Sequence, residues 1–208
     1  MMKYINYISF FLFLFLEFSF YVRVKSQSST SEDFSEYYYR ISHLSLDSMV
    51  LTSNNILAAK WQRDLDFLDG YLIPTFSATD IHGKIQNITY NGNLTLLNFW
   101  FIACPPCIEE IPFLNKMQDT YKEELEVISI CRDAEPEIIE FMMDHPISYT
   151  VIPDARKIIE HTFRMSWGYP KNILIGPDGK VLAMTRGFLG VDDPNYKKIE
   201  HLILKYTR

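Results

Sequence analysis

The sequence predicts an α/β fold: a central mixed β-sheet with helices on both faces. Three observations predict it. Strand-like and helix-like segments alternate along the C-terminal two-thirds of the chain. Two runs, Leu94–Phe101 and Leu125–Cys131, are almost continuously apolar, as strands covered on both faces are. Near the C-terminus, Gly176-Pro-Asp-Gly179 joins two apolar segments and signals a hairpin before a last amphipathic helix.

The elements follow in order. Thr75–Thr79 and Lys84–Thr89 flank Asp80-Ile-His-Gly83, a turn between two strands. Leu94–Phe101 is the first buried strand. From Cys107 to Tyr121, the apolar residues Ile108, Ile111, Phe113, Leu114, Met117 and Tyr121 keep helical spacing. Leu125–Cys131 is the second buried strand. Pro136–Asp144 is a helix with proline in its first turn, where no N–H is needed. Thr150–Ile152 is a short strand and Ala155–Phe163 a short helix. Asn172–Ile175 and Val181–Arg186 form the hairpin. Pro194–Lys205 closes the chain as a helix with Tyr196, Ile199, Leu202 and Ile203 on one stripe. The order is β-β-β-α-β-α-β-α-β-β-α, with no internal repeat.

Composition bounds the function. The chain has 208 residues, 48% hydrophobic and 22% charged, enough apolar material for a packed core and too much for wholesale disorder. A net charge of −6 argues against a nucleic-acid binder working through a broad basic surface. Three cysteines are too few for a disulfide scaffold or a four-thiolate zinc site.

The N-terminus carries an address. Lys3 precedes the apolar run Ile8–Leu16, Glu17 interrupts it, and Phe18–Val22 resume it. A short basic region and then an apolar stretch make a secretory signal over residues 1–26, cut before Gln27. The alternative is an uncleaved anchor over residues 4–22. Glu17 would be costly within that span, and Arg23 and Lys25 would sit on the translocated side, against the usual trend. The protein is therefore expected outside the cytoplasm, periplasmic or secreted, touching the inner membrane only if the segment is retained. Removing residues 1–26 takes away three cations and one anion, leaving a chain near −8. Residues 27–70 are expected to be a tether and N-terminal extension with room for short helices. Residues 71–208 are expected to be the folded domain.

The chemistry centres on Cys104-Pro105-Pro106-Cys107, placed where a buried strand turns into a helix. Cys-x-x-Cys in that position is a redox signature. The helix N-terminus favours a Cys104 thiolate, which attacks a substrate disulfide, and Cys107, one turn inside, resolves the mixed disulfide. Neither proline offers an N–H, so the thiolate is expected to rely on the Cys107 N–H and the helix dipole. A structural disulfide closing so small a loop would stabilise little. A zinc-type site would need two more ligands, and only His82 or His161 come forward. Cu(I) binding by the two thiolates is the alternative function. A peroxidase would need proline at position 97 and threonine or serine at 101, where this chain has Leu97 and Phe101.

The segment Asn98-Phe-Trp-Phe-Ile-Ala-Cys104-Pro-Pro-Cys107-Ile-Glu-Glu-Ile-Pro112 resembles the active-site segment of the TlpA/ResA-type extracytoplasmic thioredoxin-like proteins. Tyr169-Pro170, ahead of Asn172–Ile175 and Gly176-Pro-Asp-Gly-Lys180, resembles that family's cis-proline loop and following hairpin. The resemblance spans about residues 72–205. It implies a thioredoxin fold with an N-terminal β-hairpin and a βα insertion, and thiol–disulfide exchange outside the cytoplasm, usually of a bacterium. No bound cofactor is implied. The implied partners are protein disulfides or dithiols, together with a membrane or soluble redox protein that recycles the pair.

By the same resemblance Cys104 is the nucleophile, Cys107 the resolving cysteine and Pro170 the cis-proline. Tyr169 would then offer backbone groups to an extended substrate. Pro105, Pro106, Tyr169 and Trp167 flank the site as expected substrate contacts, with packing the alternative for Tyr169 and Trp167. Glu110 matches an acidic position thought to tune cysteine ionisation; a solvated helix residue is its plainer role. Asn98 stands where cytoplasmic thioredoxins carry a buried aspartate, so that proton relay is absent. Pro112 is expected to kink the helix. Ala103 replaces the tryptophan that often precedes the first cysteine, and Tyr169 is bulkier than the usual residue before the proline. Cys131 is expected to be a buried free thiol, with a third redox thiol as the alternative. Asn87-Ile-Thr and Asn93-Leu-Thr fit the N-glycosylation pattern, which is silent in a bacterium.

Overall fold

The computed structural model describes residues 69–90, 92–165 and 168–207, together with Glu36. The expected export segment, almost all of the 27–70 extension, and Trp167 lie outside the described residues.

An antiparallel hairpin comes first, β1 (Phe76–Thr79) with β2 (Ile85–Ile88). Asp80 closes its turn. The carboxylate accepts the backbone N–H groups of His82 at 2.9 Å and Lys84 at 3.0 Å, and the Gln86 amide at 2.7 Å. Then come β3 (Leu94–Trp100), α1 (Pro105–Thr120), β4 (Leu125–Cys131), α2 (Glu135–Asp144) and β5 (Thr150–Ile152). A π-helical turn, Ile158–Thr162, leads to β6 (Lys171–Ile175), β7 (Val181–Arg186) and α3 (Pro194–Tyr206). The second sheet has the strand order β5-β4-β3-β6-β7. β3 pairs in parallel with β4 and antiparallel with β6, so the sheet is mixed, as the sequence predicts. α2 and β5 supply the insertion between β4 and the return to β6.

Strand alternation sorts the core into two faces. Leu94 and Leu96 of β3 pack with Leu114 and Met117 of α1 and Ile199 and Ile203 of α3. Leu97 and Phe99 face the other way, towards Ile159 and Phe163 of the π-helical region and Ile88 of the hairpin. All seven residues of β3 are buried, which explains why its sequence shows no alternation. Each large apolar side chain fully buried here contributes about 1.5–3 kcal/mol.

One element differs in kind from its expectation. The segment predicted as a short α-helix over Ala155–Phe163 ends in a π turn, in which the Phe163 N–H donates to the Ile158 carbonyl at 3.0 Å. The apolar spacing fixes which side chains are buried, here Ile159 and Phe163, but not which carbonyl each N–H selects. Phe163 is the bridge of this face. Its ring lies edge-on to Phe99 at 4.9 Å and to Phe76 of the hairpin at 5.6 Å.

Candidate active site

The C-terminal end of β3 delivers the chain to the start of α1. Cys104 is the N-cap, with Pro105 and Pro106 as the first two helical residues. Their fixed φ suits that position, and their missing N–H groups are ones a helix start leaves unpaired. Cys104 and Cys107 are joined as a disulfide, with Cα atoms 5.2 Å apart, and both are buried. The Cys107 N–H donates to the Cys104 carbonyl at 2.9 Å, and so does the Ile108 N–H at 3.1 Å. In this oxidised form, then, the Cys107 N–H is engaged by backbone. The helix dipole remains. Pro112 lies inside α1, where its missing N–H leaves one helical hydrogen bond unmade.

Glu110 is fully buried on the inner face of α1, not solvated. Three donors build its cage. The Asn98 side-chain amide of β3 donates to Oε2 at 3.0 Å. The Asn172 amide of β6 donates to Oε1 at 2.5 Å, and the Phe188 backbone N–H, just after β7, donates to the same oxygen at 3.0 Å. The Asn98 amide also donates to the Asn172 carbonyl oxygen at 2.9 Å, closing a ring of three side chains. Burial outweighs these donors and pushes the Glu110 carboxyl up from 4.5 to about 8.

The Tyr169–Pro170 bond is cis. The Pro170 ring rests on the backbone at Gly187: a Cβ built there would lie 2.3 Å from the ring's Cγ and 3.2 Å from Glu110 Oε1. Only glycine fits between the proline and the acid. Tyr169 is partly buried and meets Phe101 edge-on, with ring centroids 5.4 Å apart. The Arg132 guanidinium lies 5.3 Å from the Phe101 ring centroid. Asp133, next along from β4, accepts the Ile102 N–H at 2.6 Å and so pins the loop that leads to Cys104.

Comparison with known proteins fits this geometry. The model of the AhpC/TSA family matches residues 70–184. This chain belongs to the AhpC/TSA family. Among its relatives is the thiol–disulfide oxidoreductase ResA of Bacillus thuringiensis subsp. konkukian, 32% identical over 137 residues, which are 64% of this chain and 76% of that protein. ResA of Bacillus subtilis is 26% identical over 122 residues, covering 57% and 68%. Among solved structures, a putative thiol:disulfide interchange protein DsbE from Chlorobium tepidum superposes with a TM-score of 0.59 at 26% identity, covering 65% of this chain and 97% of that one. A putative thioredoxin from Neisseria meningitidis gives 0.55 at 31% identity, covering 65% and 89%. With the cysteine pair in place, this AhpC/TSA member is a thiol–disulfide oxidoreductase of thioredoxin-like fold.

The structure brings Cys104, Cys107, Glu110, Tyr169 and Pro170 to one end of the sheet, with Pro105 and Pro106 exposed at the helix start. Cys131 is fully buried in the cluster that holds Cys104, Cys107 and Trp100. Its Sγ lies 3.6 Å from Asp133 Oδ2, and burial pushes its thiol far above the ordinary range. Sequence reasoning missed Asn172, Gly187 and Asp133. Asn172 did leave a signal, as an amide opening the apolar run Ile173-Leu-Ile175. Among the described residues, no group of three or more His, Cys, Asp and Glu is placed to hold a metal ion, and no helix is long and apolar enough to cross a membrane.

Proposed function

We propose that this oxidoreductase works outside the cytoplasm as a reductant of protein disulfides. The carrying observation is the Cys104–Cys107 pair at the start of α1, with a buried carboxylate one turn along the same helix and a cis-proline loop beside it. In the reduced protein, the Cys104 thiolate attacks one sulfur of the substrate disulfide. A Cys104–substrate bond forms, the substrate S–S bond breaks, and one substrate thiolate leaves. Cys107 passes its proton to Glu110 and attacks Cys104 Sγ. The Cys104–Cys107 disulfide forms, the second substrate thiolate leaves, and the proton follows it. Two electrons have then moved to the substrate, and a partner dithiol must return them. Pro170 and the Tyr169 backbone hold the substrate strand, against the exposed Pro105 and Pro106. The basic-then-apolar segment Lys3–Leu16 supports export.

Two measurements test this. Thiol trapping across a series of redox buffers gives the midpoint of the pair. A value of about −250 mV or lower supports a reductant, whereas about −120 to −180 mV would make it an oxidase or isomerase. Cys104→Ser should abolish reduction of insulin disulfides, and full activity in that variant would overturn the assignment.

A further inference from the structure

We infer that Asn98 and Asn172 are positioning residues, which hold the Glu110 carboxylate in one orientation and set its proton affinity for the exchange reaction. The inference rests on the proposed role of Glu110.

The geometry is specific. Glu110 has two oxygens, and each receives a side-chain amide from a different strand, Asn98 from β3 and Asn172 from β6. The two amides are also bonded to each other, so neither can rotate without releasing the acid. Asn98 and Asn172 face each other across the β3–β6 pair, which fixes their spacing by sheet register. Both are buried, so water cannot replace either donor cheaply. The third donor, Phe188 N–H, is backbone and cannot be tuned by side-chain choice.

The titratable groups facing Glu110 are few. Cys107 lies one turn earlier on α1, Asp193 caps α3, and Tyr149 precedes β5; the Asp193 and Tyr149 groups disfavour its ionised form or are disfavoured by it. β3 and β6 present only the two amides, and the end of β7 presents the Gly187–Phe188 backbone. No cation among these described groups offsets the carboxylate charge. Neutral amides therefore carry the task of keeping an ionised state within reach, and they do so without fixing the acid permanently as an anion.

The test is the pH profile of a single turnover. The reduced protein is mixed with oxidised glutathione between pH 5 and 10, and oxidation is followed by tryptophan fluorescence. Glu110→Gln should remove one inflection. Asn172→Leu and Asn98→Leu should each move that inflection to higher pH, by about one unit, the size of one lost hydrogen bond to a charged group. The double variant Glu110→Gln/Asn172→Leu should match Glu110→Gln. If the asparagine variants slow the reaction equally at every pH with the inflection unmoved, the inference falls and the role of Glu110 stands. If Glu110→Gln itself leaves the profile unchanged, both fall. A second measurement needs no substitution. The side-chain amide resonances of Asn98 and Asn172 in the oxidised wild-type protein should titrate together with the Glu110 carboxyl. Amide resonances that stay fixed through that titration would overturn the inference.

Discussion

Glu110 shows how one residue is set by what surrounds it. Folding raises its proton affinity from 4.5 to about 8. Between those values the folded chain keeps a proton that the unfolded chain has lost. The stability due to this group is therefore fully present below about pH 4.5, falls as pH rises towards 8, and is level above that. Its slope is at most about 1.4 kcal/mol per pH unit. Glu110→Gln should flatten urea-derived stability over that window, and an unchanged slope would contradict the raised affinity. The residue scale is also where the sequence says least. Helical spacing puts Glu110 on α1, and resemblance raises its interest, but the hydrogen bonds of its cage join residues up to 78 positions apart. Nothing local in Asn98 or Asn172 announces the other. Gly187 is illegible for the same reason: its closeness to Pro170 exists only once the strands are paired.

At the scale of elements, more was legible. β3 and β4 appear in the sequence within a residue of their observed ends, because strands covered on both faces are apolar along most of their length. The turns at Asp80–Gly83 and Gly176–Gly179 were legible from local chemistry. The π turn was not, since its buried side chains satisfy an α-helical pattern equally well. That turn matters through Phe163, which ties the sheet to the hairpin. Phe163→Ala should cost about 3–5 kcal/mol of stability. Hydrogen exchange should show β1 and β2 losing protection before β3 and β4 do. Equal loss across both sheets would mean that the hairpin does not depend on this ring.

For the molecule as a whole, the topology gathers the working groups from α1, β3, β6 and the segment after β7 at one end of the sheet, where the parallel strands β3 and β4 finish. Mixed pairing makes this convergence possible: β6 runs back against β3, so its first residues lie beside β3's last. The sequence carries three cysteines, and the fold treats the third differently. Thiol counting with a small alkylating reagent should find no reactive thiol in the native oxidised protein and one after denaturation. One thiol in the native state would show that Cys131 is accessible. Its concealment has a further consequence. A catalyst that trades disulfides carries an intrinsic hazard: its spare sulfur can capture its own active-site partner and lock the pair in a dead-end cross-link. Cys131 ends β4 in register with Trp100 and in the same buried cluster, its thiol held against ionisation by burial and by the neighbouring Asp133 carboxylate. Because only a thiolate attacks, the raised proton affinity of Cys131 slows self-scrambling in the folded enzyme, and unfolding removes that protection.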